Sequence, residues 1–412
     1  MALAMLSTLA LSSGLTAQEV CRASWEIEET LRVGSASGDL ALTLVTDLDV
    51  GPDGRIYLTQ MMVPEVWVLS PDGAFERTLG RAGAGPGEFL TAASHLGWRG
   101  DSLWVADSQR LHWFADDGAS LGTVDFRTHV LETGSILVPG VPLADGTFLP
   151  ARMVNDYRTF AAPVASRPIK RLSPDGEIVD TLGVVPWADR FADFRLESGP
   201  TLREEHPLAP RAPPELGGAS VKRATSRDGR SLTVVHAPSS HGAPSHFRIV
   251  RLSLAGDTLV DAAVPFTPRP VEPPLATRLT EQFARWMTGD FSPNSPQMPE
   301  QLVRQRRRAV EASLTLPAFH PPVREVLVGL DDTIWLLRES NPDGTDRWEV
   351  HAPDGTALGA LEIREGRGGL RPWEPRMRIL QARRDGFWGT TLDEWDVPIL
   401  HYFRISGCEA GR

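Results

Sequence analysis

Six times along this chain short strand patterns are joined through a tight Asp-Gly turn or a close variant, and a chain punctuated in this way must fold mainly as antiparallel meanders. The clearest copy runs Asp49-Val50-Gly51-Pro52-Asp53-Gly54-Arg55-Ile56-Tyr57-Leu58, continues through Val66-Trp67-Val68-Leu69 and turns again at Pro71-Asp72-Gly73. Related strand starts recur at Leu103-Trp104-Val105, Phe148-Leu149, Leu232-Thr233-Val234, Ile334-Trp335-Leu336 and Phe387-Trp388. Three of them follow Asp145-Gly146, Asp228-Gly229 and Asp385-Gly386. A regular spacing of roughly 40 to 50 residues favours a closed radial array over several independent domains. The chain has 412 residues, 41% of them hydrophobic, which is enough for one large core.

Two intervals, Phe148 to Leu232 and Leu232 to Ile334, are too long for a plain repeat, so each must hold an insertion. The first, around Trp187 to Leu216, is rich in proline and charge and reads as an excursion loop. The second, residues 275–314, carries apolar residues at helical spacing in Leu279, Phe283, Trp286 and Met287 and again in Leu302, Val303 and Val310. Two short amphipathic helices are expected there, placed as a lid over one face or packed on an outer surface.

The first seventeen residues, Met1 to Ala17, are apolar and uncharged and too short to span a bilayer, which reads as a secretory signal preceding a mature chain of residues 18–412. The usual basic residues near the start are missing from it. A secreted or periplasmic protein without a membrane span is expected, and a monomer. The only cysteines, Cys21 and Cys408, sit at the two extremes of that mature chain, where a ring-shaped fold brings its ends together; a disulfide is expected, against the alternative of two free thiols. The strand-like Ala23 to Glu28 would then pair with Ile399 to Ile405 to complete the last unit. A net charge of -11 argues against nucleic acid, since the one basic cluster, Arg304 with Arg306, Arg307 and Arg308, reads as the solvated side of a helix.

The stretch Leu79-Gly80-Arg81-Ala82-Gly83-Ala84-Gly85-Pro86-Gly87-Glu88-Phe89, followed by Ser102-Leu103-Trp104-Val105-Ala106-Asp107 and Phe114-Ala115-Asp116-Asp117-Gly118, resembles the repeat of NHL-type six-bladed β-propellers. The likeness is clear over residues 40 to 126, recognisable from Pro321 onward and weak between. It implies an all-β chain, a six-bladed β-propeller with a small helical insertion. The fold serves binding proteins, lyases and hydrolases alike, so it does not choose among them. The glycine run lacks the Lys-Ser or Lys-Thr and the following helix of a phosphate loop, and reads as a turn between blades.

No Gly-x-Ser-x-Gly elbow, no His-Glu-x-x-His pair and no closely spaced cysteine ligands are present, which removes the commonest hydrolase and zinc signatures. Asp47, Asp49 and Asp53 lack the alternate ligands and terminal Glu of a calcium loop. His236, His241 and His246, at five-residue intervals, fall in a Ser-, Gly- and Pro-rich segment that reads as a loop more readily than a metal site. Aligning the units on their turns puts one position of each at the head of an innermost strand, facing the channel. It holds Asp47, His95, Pro139, Lys222, Glu325, and Ile379 beside Arg378.

Two functions follow from that ring. In the first, the chain is a binding or scaffold module for a protein, peptide or glycan, with Asp47, His95, Lys222, Glu325 and Arg378 contacting the ligand. In the second, it is an extracellular hydrolase or lyase similar to streptogramin-lyase-like and lactonase-like propellers. There Asp47 and Glu325 would hold a divalent cation such as calcium or magnesium, and His95 would be the general base. Trp104, Trp113, Trp187, Trp286, Trp373 and Trp395 suit sugar or peptide contacts, and most are expected to fill gaps between blades instead.

Overall fold

The computed structural model describes residues 25–34, 40–107, 109–125, 136–138, 140–149, 152–154, 166–175, 177–186, 191–198, 202–210, 223–236, 245–278, 281, 300, 301, 304, 308, 318–338, 345–364, 366, 367 and 375–406. After β1 (Glu26–Val33), the strands β2 (Val45–Val50), β3 (Ile56–Gln60), β4 (Val66–Leu69) and β5 (Phe75–Leu79) form a four-stranded antiparallel meander, the first blade. The second blade is β6 (His95–Arg99), β7 (Ser102–Ala106), β8 (Arg110–Ala115) and β9 (Ser120–Asp125). A short strand, β10 (Ile136–Val138), precedes β11 (Val141–Pro142) and β12 (Phe148–Leu149) and pairs with β13 (Arg152–Val154). The third blade is β11, β12, β14 (Ser166–Leu172) and β15 (Ile178–Pro186). A ribbon of β16 (Phe191–Ser198) and β17 (Leu202–Pro210) leads to the fourth blade, β18 (Arg223–Thr225), β19 (Ser231–His236), β20 (His246–Ser253) and β21 (Thr258–Pro265). The fifth is β22 (Glu325–Val328), β23 (Ile334–Leu337), β24 (Asp346–His351) and β25 (Ala357–Ile363). The last group, β26 (Arg378–Arg383), β27 (Gly386–Leu392) and β28 (Pro398–Ser406), takes β1 as its fourth, outermost strand. The chain is a six-bladed β-propeller.

The Asp-Gly turns work because the glycine supplies a left-handed residue, as at Gly54 (φ 83°) and Gly146 (φ 82°), while the aspartate accepts from the backbone two residues on, as Asp145 Oδ1 does from Thr147 N at 3.0 Å. Apolar residues then alternate along both faces of each blade, and the core lies between blades. Tyr57, Val66 and Val68 of the first blade pack on Leu96, Trp98 and Val105 of the second, with Tyr57 and Trp98 edge to face at 5.1 Å. Trp104 and Leu111 meet Phe148 and Leu172, and Leu149 and Ile169 meet Leu232 and Val234. Phe247 and Ile249 meet Ile334 and Leu336. Trp335 and Trp348 meet Ile379 and Phe387, and Leu380 and Trp388 return to Val45 and Leu58.

Closure follows the expected route: β1 lies antiparallel to β28, with Glu26 opposite Ser406 and Val33 opposite Leu400. Just ahead of β1, the Trp25 indole occupies the space a Cβ at Gly359 would need, and Trp25 N donates to Ala360 O at 2.9 Å. Cys21, Cys408 and Met1 to Ala17 lie outside the described residues. The first insertion differs from the sequence reading: part of the Trp187–Leu216 stretch is the β16–β17 ribbon, with Phe191 opposite Pro210 and Ser198 opposite Leu202. Two strand runs flank Gly199-Pro200-Thr201, a turn signal hidden by the density of charge and proline. Of residues 275–314 the described part includes a helical turn over 273–278 and helical positions at 281, 300, 301, 304 and 308.

A buried ionic clamp holds the glycine-rich segment between the first two blades. Asp107 accepts from the backbone N–H groups of Leu90 (3.0 Å), Gln109 (2.8 Å) and Arg110 (2.7 Å). Arg110, 2% exposed, donates to the carbonyls of Glu88 (2.6 Å), Gly83 (3.1 Å) and Ala84 (3.2 Å). Gly80 has φ 72°, and a Cβ there would lie 2.3 Å from the Phe89 ring. Burial disfavours the Asp107 carboxylate, but His112 and the three N–H donors outweigh it and hold the carboxyl at about 2.

Two outcomes test this frame. Asp107→Ala, which leaves Arg110 buried without its counter-charge, should cost roughly 3–5 kcal/mol in denaturant unfolding. Because the Asp107 pKa is depressed in the folded state, its contribution is fully present above the unfolded value of about 3.9 and should fade as pH falls toward 2, a loss the variant will not show. Deleting residues up to Val33 should expose the edge of β28 and produce aggregation detectable by light scattering.

Candidate functional site

The innermost strands β2, β6, β11, β18, β22 and β26 run the same way along the channel, so the channel has a strand-start mouth and a turn end. At the strand-start mouth Asp47 meets His95, with Oδ2 3.3 Å from Nδ1. The same oxygen accepts from Leu96 N at 3.3 Å, and Oδ1 accepts from Leu48 N at 2.9 Å. Arg378 reaches in from the sixth blade and donates to the carbonyls of Val45 (3.0 Å) and Thr46 (2.8 Å). Three of the residues aligned in the sequence, Asp47, His95 and Arg378, are therefore brought together across two blade seams.

The His95 side chain is 48% exposed, crowded by the channel wall yet open to solvent at the mouth. Burial and the charge of Arg378 disfavour its imidazolium, but the hydrogen bond and charge of Asp47 outweigh both and raise its pKa above the ordinary histidine value. With Nδ1 engaged by the carboxylate, Nε2 is the nitrogen left to meet a ligand. The arrangement can donate a charge-assisted hydrogen bond or exchange a proton.

Glu325 heads β22 opposite Leu337 and is half-buried, and among the described residues it makes no ion pair with Asp47 or His95. Lys222 and Pro139 lie outside the described residues. Among the described residues no three His, Cys, Asp or Glu side chains converge as a metal-holding group, and Asp47 and Glu325 lie in the inner strands of the first and fifth blades. Ring alignment placed both at strand heads but carried no distance across the channel. His236, at the end of β19, lies opposite Arg248, and burial and that charge lower its pKa; His246 heads β20, and His241 is outside the described residues.

The alignment also missed a residue of this face. The β27–β28 turn, residues 393–397, emerges at the strand-start face, because β27 runs antiparallel to β26 with Thr390 opposite Arg378. Asp393 Oδ1 accepts from Trp395 N (2.8 Å) and Val397 N (2.9 Å), and Asp396, at φ 64°, pairs with Arg367. Trp395 stands on this fully bonded turn 73% exposed. The β3–β4 loop presents Met62, 84% exposed, at the same face. In the sequence Trp395 was one of several Trp residues; its position inside a five-residue turn, where no blade face can bury it, was the available signal. Trp104 is buried between blades as expected.

At the opposite end, Asp49 accepts from Trp98 N at 2.9 Å and Val50 N at 2.7 Å. Arg227, from the fourth blade, crosses to the first, donating to Val50 O at 2.8 Å with its guanidinium 3.6 Å from Asp49 Oδ1. Burial raises the Asp49 pKa against the opposing pull of Arg227 and of these donors.

No protein-family model matches the chain, and no curated protein matches it in sequence. Among solved structures it is similar to a member of the DUF4221 family from Bacteroides vulgatus, at 10% identity over 94% of this chain and 100% of that one, with a TM-score of 0.47. It is also similar to a streptogramin B lyase, at 11% identity over 94% and 99% of the two chains and a TM-score of 0.39. A calcium-binding protein, regucalcin, from Agrobacterium tumefaciens matches at 11% identity over 90% and 94%, with a TM-score of 0.36. Identities this low say nothing of shared chemistry.

The Asp47–His95 pair makes a direct prediction. Asp47→Asn should take the His95 pKa from above the ordinary histidine value to below it in an NMR titration of the imidazole protons, because burial and the charge of Arg378 would no longer be opposed by a carboxylate. The stability contributed by the pair should be fully present below pH 6.5 and decline as pH rises through the folded-state pKa.

Proposed function

We propose that this chain is an exported single-domain propeller that binds a protein, peptide or glycan at its strand-start face, with His95 at the channel mouth and Trp395 at the rim. The observation that carries this reading is Trp395, held on a turn in which Asp393 and Asp396 are both bonded, yet left 73% exposed. A large aromatic presented on a rigid turn gives contact area at little entropic cost, which is the usual energetic centre of a recognition surface. His95 adds a donor for a ligand carbonyl, carboxylate or hydroxyl. The apolar, uncharged Met1–Ala17 segment supports export. Among the described residues no helix is long and apolar enough to cross a membrane. The alternative reading is a metal-dependent hydrolase or lyase, with Asp47 and Glu325 on a divalent cation and His95 as general base.

The test is to screen the wild-type protein on peptide and glycan arrays and to measure the best ligand by calorimetry against Trp395→Ala and His95→Ala. Each variant should bind at least ~10-fold more weakly, about 1.4 kcal/mol, and Trp395→Ala should do so at unchanged Tm. Undiminished binding by both would overturn the placement. Stabilisation by calcium or magnesium that vanishes in Asp47→Ala would transfer the site to the metal-dependent reading.

A further inference from the structure

Among the described residues, those other than glycine that hold a left-handed backbone are Asp332 (φ 62°), Asp396 (φ 64°) and Met62 (φ 65°). Aspartate tolerates that region because its short carboxylate can bond locally, whereas methionine has no such compensation. Met62 is the third residue of the turn from Gln60 to Val63, closed by Val63 N donating to Gln60 O at 3.2 Å, a place where glycine is the residue of least strain. The side chain held there is 84% exposed, so packing within the fold does not explain it, and Met61 beside it is 48% exposed. A strained backbone that presents an apolar side chain to solvent points to a contact outside the fold.

This loop is tied to its neighbours on both sides. Met61 N donates to Leu44 O at 2.7 Å, and Val63 O accepts at 3.3 Å from Ala93 N, two residues ahead of His95. Across residues 42–46 stands the sixth blade, where Leu400 packs with Leu42 and Arg378 donates to Val45 O and Thr46 O. The β3–β4 loop and the β27–β28 turn are thus corresponding loops of adjacent blades, and Met61, Met62 and Trp395 share one sector of the strand-start face. The two loops, Met61-Met62-Val63-Pro64-Glu65 and Asp393-Glu394-Trp395-Asp396-Val397, contain four acidic residues and no basic one. Glu65 accepts from Trp67 Nε1 at 3.0 Å, Asp393 from two amides, and Asp396 pairs with Arg367, while Glu394 is exposed and has no ion pair among the described residues. On a chain of net charge -11 this sector is complementary to a cation, and an exposed indole next to an uncompensated carboxylate suits an ammonium or guanidinium group.

We infer that these two loops dock a peptide segment in which an apolar side chain stands next to a lysine or arginine, the apolar group against Met61 and Met62 and the cation over Trp395 beside Glu394. Methionine, unbranched and polarizable, moulds to varied apolar side chains but offers a sugar neither a stacking plane nor a strong hydrogen bond, which favours a peptide over a glycan. Such docking rests on the reading of the strand-start face as the binding face, and it narrows the partner to a basic, apolar segment.

The probes are acetylated and amidated hexapeptides, Leu-Lys-Leu-Lys-Leu-Lys with Leu-Glu-Leu-Glu-Leu-Glu and Ser-Lys-Ser-Lys-Ser-Lys as controls, measured on the full chain by calorimetry. The first should bind saturably and at least ~10-fold more tightly than either control. Met62→Gly should weaken that binding at least ~5-fold with Tm unchanged or raised, since glycine relieves the left-handed residue. Glu394→Gln should weaken it ~2–5-fold, an effect that fades with added salt. Absence of binding, equal binding of either control, undiminished binding in Met62→Gly, or a fall in Tm in that variant would each overturn the docking. A glycan that binds the wild-type protein and is lost in Trp395→Ala would overturn the peptide and keep the face, whereas array ligands held undiminished by both Trp395→Ala and His95→Ala would overturn the face itself.

Discussion

A blade of this propeller has two apolar faces and no core of its own, so every blade is stable only while it is flanked on both sides. That constraint governs the rest of the structure. Tyr57 is buried because Trp98 stands in the next blade, and Trp335 because Phe387 does. The first and sixth blades must therefore meet, and the β1–β28 pairing makes them do so by taking the outermost strand of the last blade from the beginning of the chain. Closing the ring in this way also removes the sheet edges an open array would leave.

Near the channel the strands of neighbouring blades are too divergent to share a regular ladder, and side chains take over the task. Asp47 and Asp49 accept from the amides of Leu96 and Trp98 across the first seam, Arg99 reaches Pro142 O across the second, and Ala144 N reaches Gly229 O across the third. Arg251 and Asp332 join the fourth to the fifth blade, Asp331 meets Arg384 N at the next seam, and Arg378 completes the circuit at Val45 and Thr46. Many of the charged groups that look functional in the sequence are thus structural in part. What distinguishes a group available for chemistry is what its bonding leaves over: Nε2 of His95 and the indole of Trp395.

The common direction of the inner strands gives the two ends of the channel different characters. Strand heads collect at one mouth, where Asp47, His95 and Arg378 meet. Inner turns collect at the other, where Asp-Gly chemistry brings in aspartates and their arginine partners, and where Arg227 spans from the fourth blade to the first.

The repeat of Asp-Gly turns and alternating apolar residues determined the strands, the six blades and the closure by the N-terminal strand, because each depends on local backbone preference and on period-two burial. Aligning the turns also put Asp47, His95 and Arg378 at one level of the ring, since register within a repeat converts sequence position into position around the ring. It carries no distance across the channel, so it does not say which members of that ring touch. The β16–β17 ribbon escaped notice within a charged, proline-rich insertion that has no counterpart in the repeat. Only the tertiary structure showed that Trp395 stands free on its turn while Trp104 is buried, and that Arg99 bridges the second and third blades at Pro142 O. Exposure and unmet hydrogen bonds belong to the space between blades, and that space is set by residues far apart in the chain.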